Sequence, residues 1–179
     1  MNKFEIVENK LIYKGRAFSL FSDKIKYDNK IMIKDVVDYP NAVAVIPMIE
    51  KNKFVLIKQF RYPVKEELLE VPAGKIEKGE DVIEGARREL EEETGYRAER
   101  LEKIYEYYPA VGYSTEKIHI VLATNLTLHQ KNLDEDEFTE VVILDYDEII
   151  RMIKDNQIKD AKTIICFSIL GNRMVKYEV

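Results

Sequence analysis

Apolar residues alternate with polar ones through the first 38 positions. The stretch FEIVENKLIYKGRAFSLFSDKIKYDNKIMIKDVVDY keeps a two-residue rhythm, broken at Lys14-Gly15 and at Asp28-Asn29, and so predicts strands joined by tight turns. Pro40 and Asn41 end that region. AVAVIPMI and KFVLIKQF are continuous apolar runs and predict two buried strands around a turn at Glu50 to Asn52. YPVKEELLEVPAG then leads from Pro63 to a glycine. The rhythm next changes to a helical one. Gly79, Glu80 and Asp81 form a helix start, Val82 to Thr94 the helix, and Gly95 its stop. LEKIYEYY and KIHIVLATNL predict further strands around the loop PAVGYST. A polar segment, HQKNLDEDEFTE, precedes the strand VVILDY. Two more helices are expected: Asp147 to about Lys154, with Ile149, Ile150 and Ile153 on its apolar face, and Asp160 to about Leu170, capped by Gly171. Strands interspersed with helices indicate a layered α/β or α+β domain.

The chain's 179 residues suffice for one domain with a real core, or one domain and a small accessory part. A net charge of -5 argues against a protein built to grip nucleic acid or an anionic membrane. The single cysteine, Cys166, excludes an internal disulfide framework and fits a reducing compartment. MNKFEIVENK has no apolar signal core, and no run approaches membrane-spanning length, so a cytoplasmic location is expected.

One feature disturbs this ordinary composition. The helix at 82–94 crowds Glu89, Glu91, Glu92 and Glu93 into its last turns, where the macrodipole already disfavours negative charge. At about 100° per residue, Glu89 and Glu93 share a face with Glu92 beside them, while Glu91 points nearly opposite. Ile83, Ala86 and Leu90 form the stripe expected to meet a sheet. Gly85 lies one turn before Glu89 and would let another segment approach the acidic face. Arg88 can pair with Glu84 or Glu92, and Arg87 with Glu91, which offsets part of the repulsion. Three carboxylates stay under-compensated. A hard divalent cation, Mg²⁺ or alternatively Mn²⁺, would resolve the conflict. A glutamate run taken alone is better accounted for by a solvated, charge-rich helix with ordinary surface salt bridges.

The spacing around the run separates these readings. From Gly74, five residues lead to Glu80, seven more to Arg88-Glu89-Leu90, one to Glu92-Glu93, and one to Gly95-Tyr96. This resembles the Nudix box, G-x5-E-x7-R-E-U-x-E-E-x-G-U, with U a bulky apolar residue. Every fixed charge and glycine matches; Tyr96 is aromatic where an aliphatic residue is usual. The resemblance implies a loop-helix-loop that holds divalent metal against a pyrophosphate, in an α/β/α sandwich. Glu89 and Glu93 become the first candidate ligands, Glu92 a further ligand or catalytic carboxylate, and the Ala73 carbonyl an addition to the inner shell. Gly74, Glu80, Arg88 and Gly95 take structural roles, Arg88 orienting glutamates and Glu80 fixing the loop to the helix start.

Outside the box, YKGRAFSL, KQFRYPV, LLEVPAG, YSTEKIHIVLA, LDEDEFTEVV and IKDAKTI occur in an order similar to that of ADP-ribose pyrophosphatases. That resemblance implies a small N-terminal β region over 1–40 that mediates a homodimer, swapped between subunits, and a Nudix domain over 41–179. It implies that Phe18, with Ala17 beside it, stacks on the adenine, and that Lys34 and Asp35 contact the nucleotide end across the dimer. It places Arg61 on a phosphate and the backbone near Lys75 along the site. Ala110, Val111 and Gly112 would surround the terminal ribose, with Glu116 helping to fix that ribose or a metal shell. Glu135 matches the general base and Glu137 an additional metal ligand. Simpler readings stand beside these: Phe18 as core, Arg61 as an ion pair with Glu66 or Glu67, and the acidic run at 134–137 as a solvated loop. His119, His129 and Cys166 read as structural. Val111 replaces a usual proline, Lys34 and Asp35 a usual Arg and Glu, and Tyr39 a usual Arg; all bear on sugar preference. The implied activity is Mg²⁺-dependent hydrolysis of ADP-ribose to AMP and ribose 5-phosphate. The alternatives are another nucleoside diphosphate sugar of the ADP-sugar or GDP-mannose type, or a non-catalytic nucleotide-binding protein.

Overall fold

The computed structural model describes residues 4–129 and 139–174. Three strands come first: β1 (Phe4–Lys14), β2 (Ser19–Tyr27) and β3 (Lys30–Asp38), paired antiparallel in that order. Asp28 closes the β2–β3 turn at φ 50°, a left-handed conformation that Asp tolerates through its short polar side chain. These strands and residues 106–118 form one compact unit. Inside it, the Val37 amide donates to the Tyr113 carbonyl at 2.7 Å and the Thr115 amide to the Val37 carbonyl at 3.0 Å. Among the described residues, 43–105, 119–129 and 139–174 form the second unit.

The larger sheet runs β10–β5–β4–β9–β8, from β4 (Ala42–Glu50), β5 (Lys53–Arg61), β8 (Tyr96–Tyr107), β9 (Ile118–Leu128) and β10 (Thr139–Asp145). Two short strands join it, β6 (Glu66–Glu70) on β5 and β7 (Ala73–Lys75) on β4. Neither was expected from the pattern, because Pro63 and the charges at 65–67 mask a hairpin that Lys65 closes at φ 56°. The other expected strands all form.

Helix α1 (Val82–Thr94) has the expected bounds, since Asp81 accepts the Ile83 amide at 2.8 Å and Gly95 turns left-handed at φ 73°. Strand β8 begins at the next residue, and the His129 amide donates to the Gly95 carbonyl at 2.6 Å. Ala86 and Leu90 pack on Val43, Val45, Ala98, Val121 and Ala123, with Ile83 at the margin, as the apolar stripe predicts. Helices α2 (Tyr146–Lys154) and α3 (Ala161–Met174) serve the other face. There Phe54, whose strand partner is Met48, meets the Phe167 ring edge-on at 5.3 Å. Val43 and Val45 alternate with Met48, so helices cover both faces of the sheet.

Gly171 does not cap α3, contrary to expectation; the helix continues to Met174. A Cβ there would overlap the Tyr146 hydroxyl, so the glycine serves a close approach between α3 and α2. Cys166 and His119 are buried, Cys166 fully, and burial pushes the Cys166 thiol well above its ordinary range. Among the described residues no helix is long and apolar enough to cross a membrane.

Candidate functional site

Strand β7 and the last turns of α1 bring the box together. Glu89 and Glu93 are buried, at 7% and 1% exposure, although both are carboxylates. Such burial is costly unless the charge is matched by donors. The Ala73 amide donates to Glu93 Oε2 at 2.8 Å. Arg88 Nη1 donates to Glu89 Oε1 at 2.7 Å and to Glu92 Oε2 at 3.0 Å. Arg88 Nε reaches Glu80 Oε1 at 3.0 Å, and Nη2 reaches Glu80 Oε2 at 3.1 Å and the Lys75 carbonyl at 2.9 Å. One guanidinium thus ties three carboxylates and the β7 backbone together. The bond to Glu80, then those to Glu89 and Glu92, hold Arg88 above its ordinary basicity despite partial burial. Arg88 also holds the Glu80 carboxyl below the usual range.

Two glycines make this approach feasible. A Cβ on Gly74 would overlap the whole Glu89 carboxyl group, so β7 can pass over α1 only without a side chain there. On Gly85 a Cβ would lie 3.2 Å from Glu80 Oε2, so the segment expected near the acidic face is the Glu80 side chain. The Glu77 amide donates to the same oxygen at 2.8 Å and draws the loop onto the helix start.

One expected pairing, Arg87 with Glu91, differs. Arg87 pairs with Glu84 at 3.7 Å and donates to the Ala98 carbonyl at 3.0 Å, while Glu91 pairs with Arg97 at 3.2 Å. Strand β8 supplies Ala98 and Arg97 because it starts one residue after the helix, while Glu84 lies on α1 itself. Arg61 also departs from its simple reading. Its Nε and Nη2 fork onto Glu70, at 2.8 and 2.6 Å, although Glu66 is its cross-strand neighbour on β6. Lys162 bonds the same carboxylate. Glu70 and Lys162 therefore join the charged residues of this region, beyond those expected from the sequence. The signal was a charge set in the apolar run of LLEV, which only a buried cationic partner could sustain.

Ala17, Phe18, Lys34, Asp35, Ala110, Val111, Gly112 and Glu116 all fall in the first unit. Phe18 is partly exposed at 38%, its ring 6.1 Å from that of Tyr13. Lys34 and Asp35 sit exposed on β3, and Val111 is 80% exposed at the tip of its turn. Glu135 and Glu137 lie outside the described residues.

The donor set of the box suits a hard divalent ion: carboxylate oxygens, a carbonyl and one cation for three acids. Among the described residues, however, no three acidic, His or Cys side chains already converge on a single ion-sized point. Glu89 and Glu92 are instead turned onto Arg88, and Glu93 onto the Ala73 amide.

A family model described as NUDIX domain matches residues 38–165. The chain belongs to the NUDIX domain family. This NUDIX chain is 38% identical over 155 residues to an ADP-ribose pyrophosphatase of Bacillus subtilis (strain 168), covering 85% of this chain and 84% of that one. It is also 38% identical over 167 residues to a methanol dehydrogenase activator of Bacillus methanolicus, covering 92% and 90%. Among solved structures, one titled "Crystal structure of ADP compounds hydrolase" superposes with a TM-score of 0.88 over 99% of this chain and 97% of that one. At 22% sequence identity that likeness speaks for the NUDIX fold alone.

Proposed function

We propose that the protein is a divalent-metal-dependent pyrophosphatase that hydrolyses ADP-ribose to AMP and ribose 5-phosphate. The observation that carries this reading is the pair of buried carboxylates, Glu89 and Glu93, held under a glycine whose side chain would displace one of them. The Bacillus subtilis relative supports the choice of substrate.

Glu89, Glu93 and Glu92 would hold the ion, Mg²⁺ in our reading, together with the Ala73 carbonyl and Glu137. The bound ion supplies charge neutralisation at the anhydride and a water of lowered pKa. The residues around it do the positioning. Arg88 keeps Glu89 and Glu92 side by side, and the Ala73 amide orients Glu93. Arg61 presents a guanidinium to a phosphate oxygen, and the Lys75 backbone lines the approach. Glu135 accepts the proton of the attacking water. In the first unit, Phe18 and Ala17 take the adenine, Lys34 and Asp35 the nucleotide end, and Ala110, Val111, Gly112 and Glu116 the terminal ribose.

The same unit supports a homodimer. Phe4, Ile6, Val7, Leu11, Ile12 and Tyr13 on β1 are each at least half exposed, an apolar surface that a second copy would cover. Sedimentation of the full chain is expected to give twice the monomer mass; a monomer at micromolar concentration would remove this part of the reading.

The decisive experiment follows products with ADP-ribose and Mg²⁺ in ¹⁸O-labelled water. AMP and ribose 5-phosphate, with label on one of them, are expected. Equal rates on ADP-ribose and GDP-mannose would end the specific claim. Glu135→Gln should lower kcat far more than it changes KM.

A further inference from the structure

Buried charge also occurs in the second unit outside α1, at the end of β6 and the start of α3. Glu70, at the end of β6, is fully buried and receives both Arg61 and Lys162. Lys162 also pairs with Asp160 Oδ1 at 3.1 Å. Asp160 Oδ2 accepts the Thr163 amide at 2.9 Å and its hydroxyl at 2.6 Å. The Thr163 hydroxyl oxygen in turn accepts the Val71 amide at 2.9 Å, which returns the path to the residue after Glu70. The ring therefore clamps the start of α3 to the end of β6.

Its members differ in exposure. The side chains of Glu70, Lys162 and Asp160 are 1%, 13% and 16% exposed, whereas that of Arg61 is 37% exposed. Arg61 is thus the group the ring shows to solvent. It also feels the charge of Glu93, one of the carboxylates of the box. Two of its nitrogens are fixed on Glu70, so its direction is set from behind. Charge matters as much as direction. Arg61 and Lys162 balance Glu70 and Asp160. Without Lys162, one guanidinium would face two carboxylates, and the ring would turn net negative beside an anion's path.

We propose that Lys162 is a positioning residue for the pyrophosphate. It shares Glu70 with Arg61, and so both orients that guanidinium and keeps its charge available to a phosphate. This inference rests on the reading above, in which Arg61 meets a phosphate.

The test uses the full chain and opposite charge changes. Lys162→Met should raise KM for ADP-ribose about tenfold with kcat within roughly threefold, a size set by one partly screened charge a few ångströms away. Lys162→Arg should restore KM to within about threefold of wild type. Asp160→Asn keeps an acceptor for Thr163 and removes a negative charge, so KM should fall or hold. A merely structural role would worsen both variants alike. KM rising in both, or unchanged in Lys162→Met, would overturn the inference. Should the wild type not hydrolyse ADP-ribose at all, the functional reading fails and a substrate-free measurement decides this one. The Arg61 Nε-bound proton should exchange with water about tenfold faster in Lys162→Met than in wild type or Lys162→Arg. Identical exchange in all three would refute it.

Discussion

Replacing Gly74 by alanine should separate stability from activity. The Cβ would overlap Cδ, Oε1 and Oε2 of Glu89, so one of the two must move. The backbone of β7 is the harder to shift, because it pairs with β4, the Ala73 amide is bonded to Glu93, and the Lys75 carbonyl is bonded to Arg88. The Glu89 side chain therefore rotates. That forfeits its bond to Arg88, a charge-assisted contact whose loss costs about 1.5–3 kcal/mol if the carboxylate stays buried. A carboxylate that swings out to water recovers part of this, so we expect a net loss of about 1–2 kcal/mol. Urea unfolding reads the loss directly, and the corresponding fall in Tm is roughly 2–8 °C for a chain of this size. Under the proposed role of Glu89 activity suffers more, because a metal-binding carboxylate would have left its place: kcat/KM with Mg²⁺ should fall at least 10–100-fold. Gly79→Ala supplies the contrast. It meets nothing within 4 Å but sits at φ 88°, so it should cost about 1–3 kcal/mol through backbone strain and spare metal affinity. Wild-type kcat/KM and metal affinity in Gly74→Ala, with the fold intact, would refute the cradle.

Four shorter predictions follow from other contacts. Asp81→Ala removes the acceptor of the Ile83 amide and should cost about 0.5–2 kcal/mol in urea unfolding, with little change in the spectrum of the folded protein. Glu93→Gln keeps an oxygen for the Ala73 amide, so thermal unfolding should barely change while Mg²⁺-dependent hydrolysis falls at least about 100-fold. Burial alone would raise the Glu70 carboxyl, yet bonds from Arg61 and the charge of Lys162 hold it below the usual carboxylate range. A depressed folded value makes its contribution complete above the unfolded value of about 4.3 and lost as pH falls through the folded one; Glu70→Gln should flatten that acid limb of the urea midpoint. Gly171→Ala should destabilise by about 1–3 kcal/mol through overlap with the Tyr146 hydroxyl, and Tyr146→Phe in the same chain should recover part of it.

What could be read from the chain was what neighbours in sequence decide. Helix α1 was legible because Asp81 and Gly95 mark its ends and Ile83, Ala86 and Leu90 keep one face apolar. The carboxylates of the box were legible by spacing, since a helix converts spacing into direction. Long-range partners were not. Glu70 makes sense only beside Arg61, nine positions away, and Lys162, ninety-two away. Gly171 looked like a cap because glycine ends helices locally, but a tyrosine from another helix decided its place. Arg87 and Glu91 looked like partners along the helix until the adjoining strand offered each a better one.

The junction at Gly95 leaves no slack between α1 and β8, and the His129 amide pins it from the far side. Anyone grafting a reporter or affinity tag into this scaffold should avoid that point, since added residues would pull the acidic turn out of register. The Glu50–Lys53 hairpin tip, exposed and remote in sequence from the box, is the better insertion port.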